Sequence, residues 1–580
     1  MESKALTARS LLVGLALAVG LNVATPYVGL VLQSQYLATS YFPVGLGVAF
    51  FVVVLGVNGL ARAVGPRWAL GPGELAVVFV MAAVASTMPT HGITGKLLSI
   101  IGAPHYLASP ENRWGEIVLP HLPWWAIVEG GPGLRWFYEG LPRGESVPWA
   151  AWAVPLGWWV AFLGAAWFAC LCVIAILRKQ WMEHERLAYP LASIALELMG
   201  RPGRQRRGYA RSRVFWIGFA LAFGTLAWNA GGYFAANWPA IPSALPAISP
   251  GRDFPAIPLV LYWPMFCIAF FLRADVTLSL WVFILLGMVE EGVLNRLGVS
   301  IGGALKVPYF DASRPALGWQ SYGAMVAMVG MNLWVARRHL WAVARKAWGP
   351  GDPVLDDRGE LLSARTAVVG LGLALAFMVG WLCRLGMAPW TAGLFLAAAL
   401  VGFLGLSRLV VEGGLVFILP PLTAQSATVT LLGDSALGAS QLSAVGLSMA
   451  WIADPINAFM PAAANAAKVG HEAAGGRRVT AAMGAAVMAG LAATLPFTLW
   501  VCYRHGASNT GTWLFQHAHW VPYTYVVRAL GTEPGVEGAK LAWGGVGAVG
   551  MLALTLLHHR FAWWPLHPIG LVVGVIYKVR

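Results

Sequence analysis

The chain reads as an all-α polytopic integral membrane protein, and three observations carry that reading. Hydrophobic residues make up 58% of the 580 positions and charged residues 11%, with a mean hydropathy of +0.66, whereas soluble domains are about 25% charged. Apolar runs of roughly 17 to 25 residues, the length a helix needs to cross a bilayer, recur along the chain. Basic residues cluster in the loops between those runs, as cytoplasmic loops do beside anionic lipid. The net charge of +14 is thus a membrane feature, and nucleic acid is not an expected partner.

Taken in order, the first span is 10–32. Lys4 and Arg9 precede it in the manner of a signal peptide, but no small-residue cleavage site follows, so it is read as an uncleaved helix. Clear spans follow at 42–62, 73–89, 150–177, 214–235, 317–336, 364–385, 388–406, 479–503 and 541–557. Residues 258–292 read as two short spans hinged at Arg273-Ala-Asp275, and 565–580 as a last one. The stretch 409–470 is apolar but broken by Gly, Pro and polar residues, and is expected to hold two crossings with re-entrant pieces. The sum is about 14 to 16 helices.

Topology follows from Lys and Arg. The loops holding Lys4/Arg9, Arg62/Arg67, Arg178–Arg213, Arg337–Arg365, Arg408, Arg477/Arg478 and His558-His-Arg560 alternate with the segments 90–148, 237–257, 293–316 and 504–540, which are poorer in clustered basic charge. Placing the basic loops inside puts the N-terminus in the cytoplasm, in a bacterial inner membrane. Residues 120–149, rich in Trp and Pro, form either an aromatic belt at the headgroups or a lid over an outer vestibule. Residues 337–363 are read as a solvated connector between an N-terminal half, 1–336, and a C-terminal half, 364–580. The cysteines at 170, 172, 267, 383 and 502 lie in or near the end of apolar runs and read as small hydrophobes.

The densest charge lies in Arg178-Lys-Gln-Trp-Met-Glu-His-Glu-Arg186, between the apolar runs 155–177 and 191–199. Arg178, Trp181, Glu185, Leu187, Tyr189 and Pro190 form a pattern similar to the linker motif of the oligopeptide transporter family. Length, span number and two-half organisation are also similar. The closing Trp563-Trp-Pro-Leu-His-Pro-Ile-Gly570 resembles a divergent bacterial branch of that superfamily. The resemblance implies proton-coupled uptake of small peptides or metal chelates, with Arg178, Trp181, His184, Tyr189 and Pro190 at a gate beside the substrate path. Glu412-Gly-Gly-Leu-Val-Phe-Ile-Leu-Pro420, with Arg408 upstream, echoes Glu185–Pro190 with Arg178 upstream. Transporters built from two related halves place their substrate site at such corresponding breaks.

Independently of the resemblance, ionisable residues within spans are costly and mark function. Glu412 lies one helical turn from Arg408 and ahead of two glycines, so it is either a membrane-edge ion pair or a carboxylate beside unwound backbone that coordinates a cation or amine. Asp454-Pro-Ile-Asn457 breaks an apolar run, and Thr423 and Gln425 belong to an uncharged hydroxyl and amide wall suited to a zwitterionic solute. Glu185 and Arg408 complete the coupling candidates. Glu74, after Gly71-Pro-Gly73, is either a coupling carboxylate or a helix-start complement to the dipole.

No metal site is expected: Gln516-His-Ala-His519 and His558-His559 have no carboxylate or cysteine spaced to complete one. No cofactor is expected. The expected partners are membrane lipid, a small-molecule solute and protons, with homodimerisation left open. Secondary active transport is the expected function. The alternative is a polytopic enzyme, of lipid-linked glycosyltransferase or hydrolase type, using the outer Glu111, Glu116, Glu129, Glu139 and Glu145; these form no tight pair in sequence, and no nucleotide-binding or hydrolase motif accompanies them.

Overall fold

Long apolar helices dominate the structure, a computed structural model that describes residues 6–34, 37–200, 212–299, 301, 315–349, 359–433, 436–452, 455–473, 475–531 and 538–574. Ten helices among the described residues are long and apolar enough to cross a membrane: α1 (Ala8–Val31), α2 (Val44–Val64), α3 (Pro66–Ala85), α5 (Trp149–His184), α7 (Arg213–Tyr233), α8 (Ala274–Arg296), α10 (Ala364–Leu385), α11 (Pro389–Gly413), α15 (Gly476–His505) and α17 (Gly538–Arg560). Between them lie α4 (Thr94–Leu107), α6 (Pro190–Met199), α9 (Pro315–Trp348), α12 (Ala424–Leu432), α13 (Ala439–Leu447), α14 (Phe459–Ala473), α16 (Trp520–Leu530) and α18 (Ile569–Val573). The expected all-α polytopic class is what forms, with ten candidate crossings among the described residues against the roughly 14 to 16 that the sequence predicts.

Chain breakers interrupt some of the expected spans, and unbroken helix runs past the bounds of others. Residues 258–292 are not two matched short spans: a seven-residue helix, Trp263–Ala269, precedes the full-length α8. A two-stranded antiparallel ribbon, β1 (Ala244–Ile248) with β2 (Ile257–Val260), leads into it. Across 409–470 the breakers leave the short helices α12, α13 and α14, the broken pattern the sequence predicts there. Within 565–580 the five-residue α18 is helical, and 575–580 lie outside the described residues. The expected connector begins inside α9, which runs on to Trp348.

Contacts order the bundle. Thr7 meets Glu74 and Asn22 donates to the Ala85 carbonyl, so α1 and α3 run parallel. Alongside them, α15 passes Asn22 at Gly490, and Gln33 reaches the Asn509 carbonyl beyond both helix ends. In contrast, α5 and α10 are antiparallel: Arg178 meets Glu360, and Phe162 packs on Trp381 with ring centroids 4.5 Å apart. Where α9 crosses α17, glycine lets two backbones touch: a Cβ on Gly547 would lie 1.7 Å from the Gln320 carbonyl oxygen. Close approach through small residues is how membrane helices gain packing when apolar burial offers no advantage over lipid.

One end of the bundle collects the basic loops. There Arg9 donates to the Arg67 carbonyl, His339 contacts the Ile176 carbonyl, and Thr480 donates to the Leu361 carbonyl. At the other end, residues 94–148 and 507–530 form a packed cap tied by aromatic donors to backbone carbonyls. Trp159 Nε1 donates to Ala126, Tyr523 to Ile100 and Tyr503 to Gly133, while Trp152 Nε1 donates to the Tyr503 hydroxyl. The Trp-rich stretch 120–149 is therefore docked on helix ends. By contrast, α7 has no buried residue among the described residues.

Candidate functional site

Two helix breaks meet near the basic end of the bundle. The first ends α5, whose last turn, Gln180–His184, is a π-turn. Beyond it Arg186 and Tyr189 both take left-handed backbone conformations, with φ of 52° and 48°. Proline at 190 disfavours the right-handed region for its predecessor, and Pro190 then opens α6 at its first turn. Tyr189 is buried and its N–H donates to the Val411 carbonyl at 2.8 Å. Trp181 is buried, its carbonyl accepting from the Leu187 N–H at 2.9 Å, and His184 Nδ1 lies 3.1 Å from the Gln180 side-chain oxygen.

The second break ends α11, where Gly414 takes φ +63°. A Cβ there would stand 2.3 Å from Leu272 and 2.9 Å from Pro190, so the two segments that echo each other in sequence pack directly together. Each follows a long apolar helix and precedes a short one, α6 or α12.

At this junction sits Arg408, with both predicted carboxylates on it. Nε donates to Glu412 at 2.5 Å and Nη1 pairs with Glu185. Glu185 also accepts from Gln180 Nε2 at 2.9 Å, and the other oxygen of Glu412 lies 3.3 Å from His567 Nε2. The side chains of these four titratable groups are 8% to 16% exposed. One guanidinium faces two carboxylates, so Arg408, Glu185 and Glu412 by themselves sum to a formal charge of −1 in a poorly solvated place. A proton, or a cationic group on a solute, neutralises it.

A second ion pair anchors the opening of the same segment. Buried Arg178 holds Glu360 in a two-point contact, Nε to Oε2 at 2.6 Å and Nη2 to Oε1 at 2.5 Å, with Glu183 at 3.6 Å. The end of the expected solvated connector is thus pinned rather than free.

The remaining candidates separate. Thr423 caps α12, and Gln425 donates to Ser448 at 3.0 Å while its buried side-chain oxygen has no hydrogen-bond partner among the described residues. Asn457 ties the carbonyls of Ala38 and Ser86 together at 3.3 and 2.8 Å, and Asp454 lies outside the described residues. Glu74 caps its own helix through the Gly71 N–H at 2.8 Å and takes the Thr7 hydroxyl at 2.5 Å. Among the outer carboxylates, Glu116 and Glu139 are in local pairs with Arg113 and Arg135. Of the cysteines, 170, 172 and 502 are buried, 383 is half-buried and 267 is exposed.

Sequence reasoning missed His567 and Glu360. They lie 155 residues beyond Glu412 and 182 beyond Arg178, with no periodicity to link them.

The helices and the buried ion cluster at their breaks define a multi-pass α-helical membrane protein. The chain belongs to DUF6785, a family of unknown function, which it matches over residues 1–580. Among curated proteins, none matches it.

Proposed function

We propose that this protein is a secondary active transporter, proton-coupled, for small peptides or related zwitterionic or metal-chelate solutes. The observation that carries the reading is Arg408 held between Glu185 and Glu412 where two helix breaks meet. Protonating one carboxylate removes its hold on Arg408. The guanidinium is then available to a solute carboxylate, and the remaining carboxylate to a solute amine. Losing the proton restores the closed trio and expels the solute. Coupling thus needs no hydrolysis, only exchange of partners at one guanidinium.

The shared position of the basic loops supports a bacterial inner-membrane topology with the N-terminus in the cytoplasm. The motif from Arg178 to Pro190 supports kinship with oligopeptide transporters. The test is uptake into liposomes under an imposed pH gradient, offering peptides, amino acids and siderophore-like chelates. Wild-type protein should show gradient-driven flux of at least one, and Glu185→Gln and Glu412→Gln should abolish it while inserting normally. Wild-type vesicles with no gradient-dependent flux of any of these would overturn the reading.

A further inference from the structure

We propose that Asp275, His558 and His567 form a binding site for a divalent transition-metal ion of the zinc class. One ligand atom from each of the three lies within 4.8 Å of the others. A tetrahedral zinc site with bonds of about 2.0–2.1 Å places its ligands about 3.4 Å apart. Each donor therefore moves inward by less than about 1 Å to close on an ion, a shift side-chain rotation supplies. Two imidazoles and a carboxylate are the donor set of open, three-ligand transition-metal sites, with a fourth position for water or solute.

Three features of the structure prepare these residues for an ion. His558 Nδ1 is buried and has no hydrogen-bond partner among the described residues, a deficit that calls for a specific cause. Asp275 is held from behind: Oδ1 accepts from Arg273 Nε at 3.1 Å and from the Val276 N–H at 2.9 Å, while Oδ2 accepts from Arg273 Nη2 at 2.7 Å and keeps a lone pair. His567 gives Nε2 to Glu412, which leaves Nδ1, with only a long 3.4 Å contact from the Ile569 N–H, to turn toward an ion. Its backbone N–H is fixed on Ser279 Oγ at 2.6 Å, with Ser279 donating in turn to the Asp275 carbonyl at 2.5 Å. A carboxylate behind a ligating histidine, and hydrogen bonds behind a ligating carboxylate, are the outer contacts that orient metal ligands. Arg273, Asp275, Arg408, Glu185 and Glu412 sum to a formal charge of −1, so a dication entering the site meets no net repulsion from them.

The site joins three elements distant in sequence: the first turn of α8, the last turn of α17 and the segment before α18. The test is metal binding by the full-length protein in detergent, stripped with chelator and titrated with Zn2+ by calorimetry and with Co2+ by visible absorption. The expected result is one ion per chain, with the Co2+ spectrum of a four- or five-coordinate site. His558→Ala should weaken binding by at least about tenfold, His558→Cys should restore it, and His559→Ala, at the exposed neighbour, should leave it unchanged. Wild-type protein that binds neither ion, or binds them no more tightly than His558→Ala, would overturn the proposal. Because the readout is binding, the outcome is separate from that of the transport reading.

Discussion

Removing the Glu360 carboxylate should destabilise the protein more than any exposed charge change, because it strands a buried cation. The Arg178 side chain is 3% exposed and that of Glu360 10%, and two hydrogen bonds of 2.5 and 2.6 Å join them. Deleting one member of such a pair costs about 3–5 kcal/mol, mostly the penalty of the charge left behind. Glu183 stands 3.6 Å from the same guanidinium, but its side chain is 43% exposed, so it compensates partly, and Glu360→Ala should cost about 3 kcal/mol, the lower end of that range. Glu360→Gln keeps an acceptor for one of the two bonds and should cost about 1–2 kcal/mol. Replacing both residues, Arg178→Met with Glu360→Leu, removes charge and counter-charge together and should recover most of the loss. Reversible unfolding in mixed micelles, followed by tryptophan fluorescence, measures all three. A cost below about 1 kcal/mol for Glu360→Ala, or a double variant no more stable than the single one, would refute the reasoning.

Three further outcomes are expected. Gly414→Ala places a Cβ at φ +63° and against Pro190, a rigid ring, and Leu272; strain and overpacking together should cost about 2–4 kcal/mol, read by the same unfolding assay. Gly547→Ala drives a Cβ into the Gln320 backbone and should separate α9 from α17, seen as loss of an engineered disulfide bridging the two helices. His519, buried in the outer cap, is held down to about 4 by burial. Its unfolded form takes up a proton below about 6.5, so its contribution to stability is complete above that pH and falls away as pH drops from about 6.5 toward about 4. Between about pH 7.5 and pH 5 this amounts to about 2 kcal/mol, and His519→Asn should show a pH dependence smaller by that amount.

The spans were legible because apolar length is a local property, and nine of the ten candidate crossings coincide with runs read from the sequence to within several residues. The tenth, α8, was split in two because Arg273 and Asp275 sit at its start; the structure makes them the entry to one helix. Arg408 and Glu412 were legible as a pair for the same local reason, one helical turn apart. Glu185, 223 residues before Arg408, could be joined to it only through the suspected echo between the two segments. Glu360 and His567 carried no such clue. A charge can be recognised as expensive from its surroundings in sequence, but the group that offsets it is chosen by tertiary folding.

The short charged stretch that closes α5 and runs one residue past it grips the hairpin of α10 and α11 at both of its basic-side ends. Arg178 holds the residue just ahead of α10 and Glu185 holds the last turns of α11. Like a stirrup, it is fastened on both sides, so the hairpin cannot tilt against α5 without opening one of the two ion pairs. Motion that keeps both intact has to carry α5, α10 and α11 as a single lever, with the rest of the bundle turning around it.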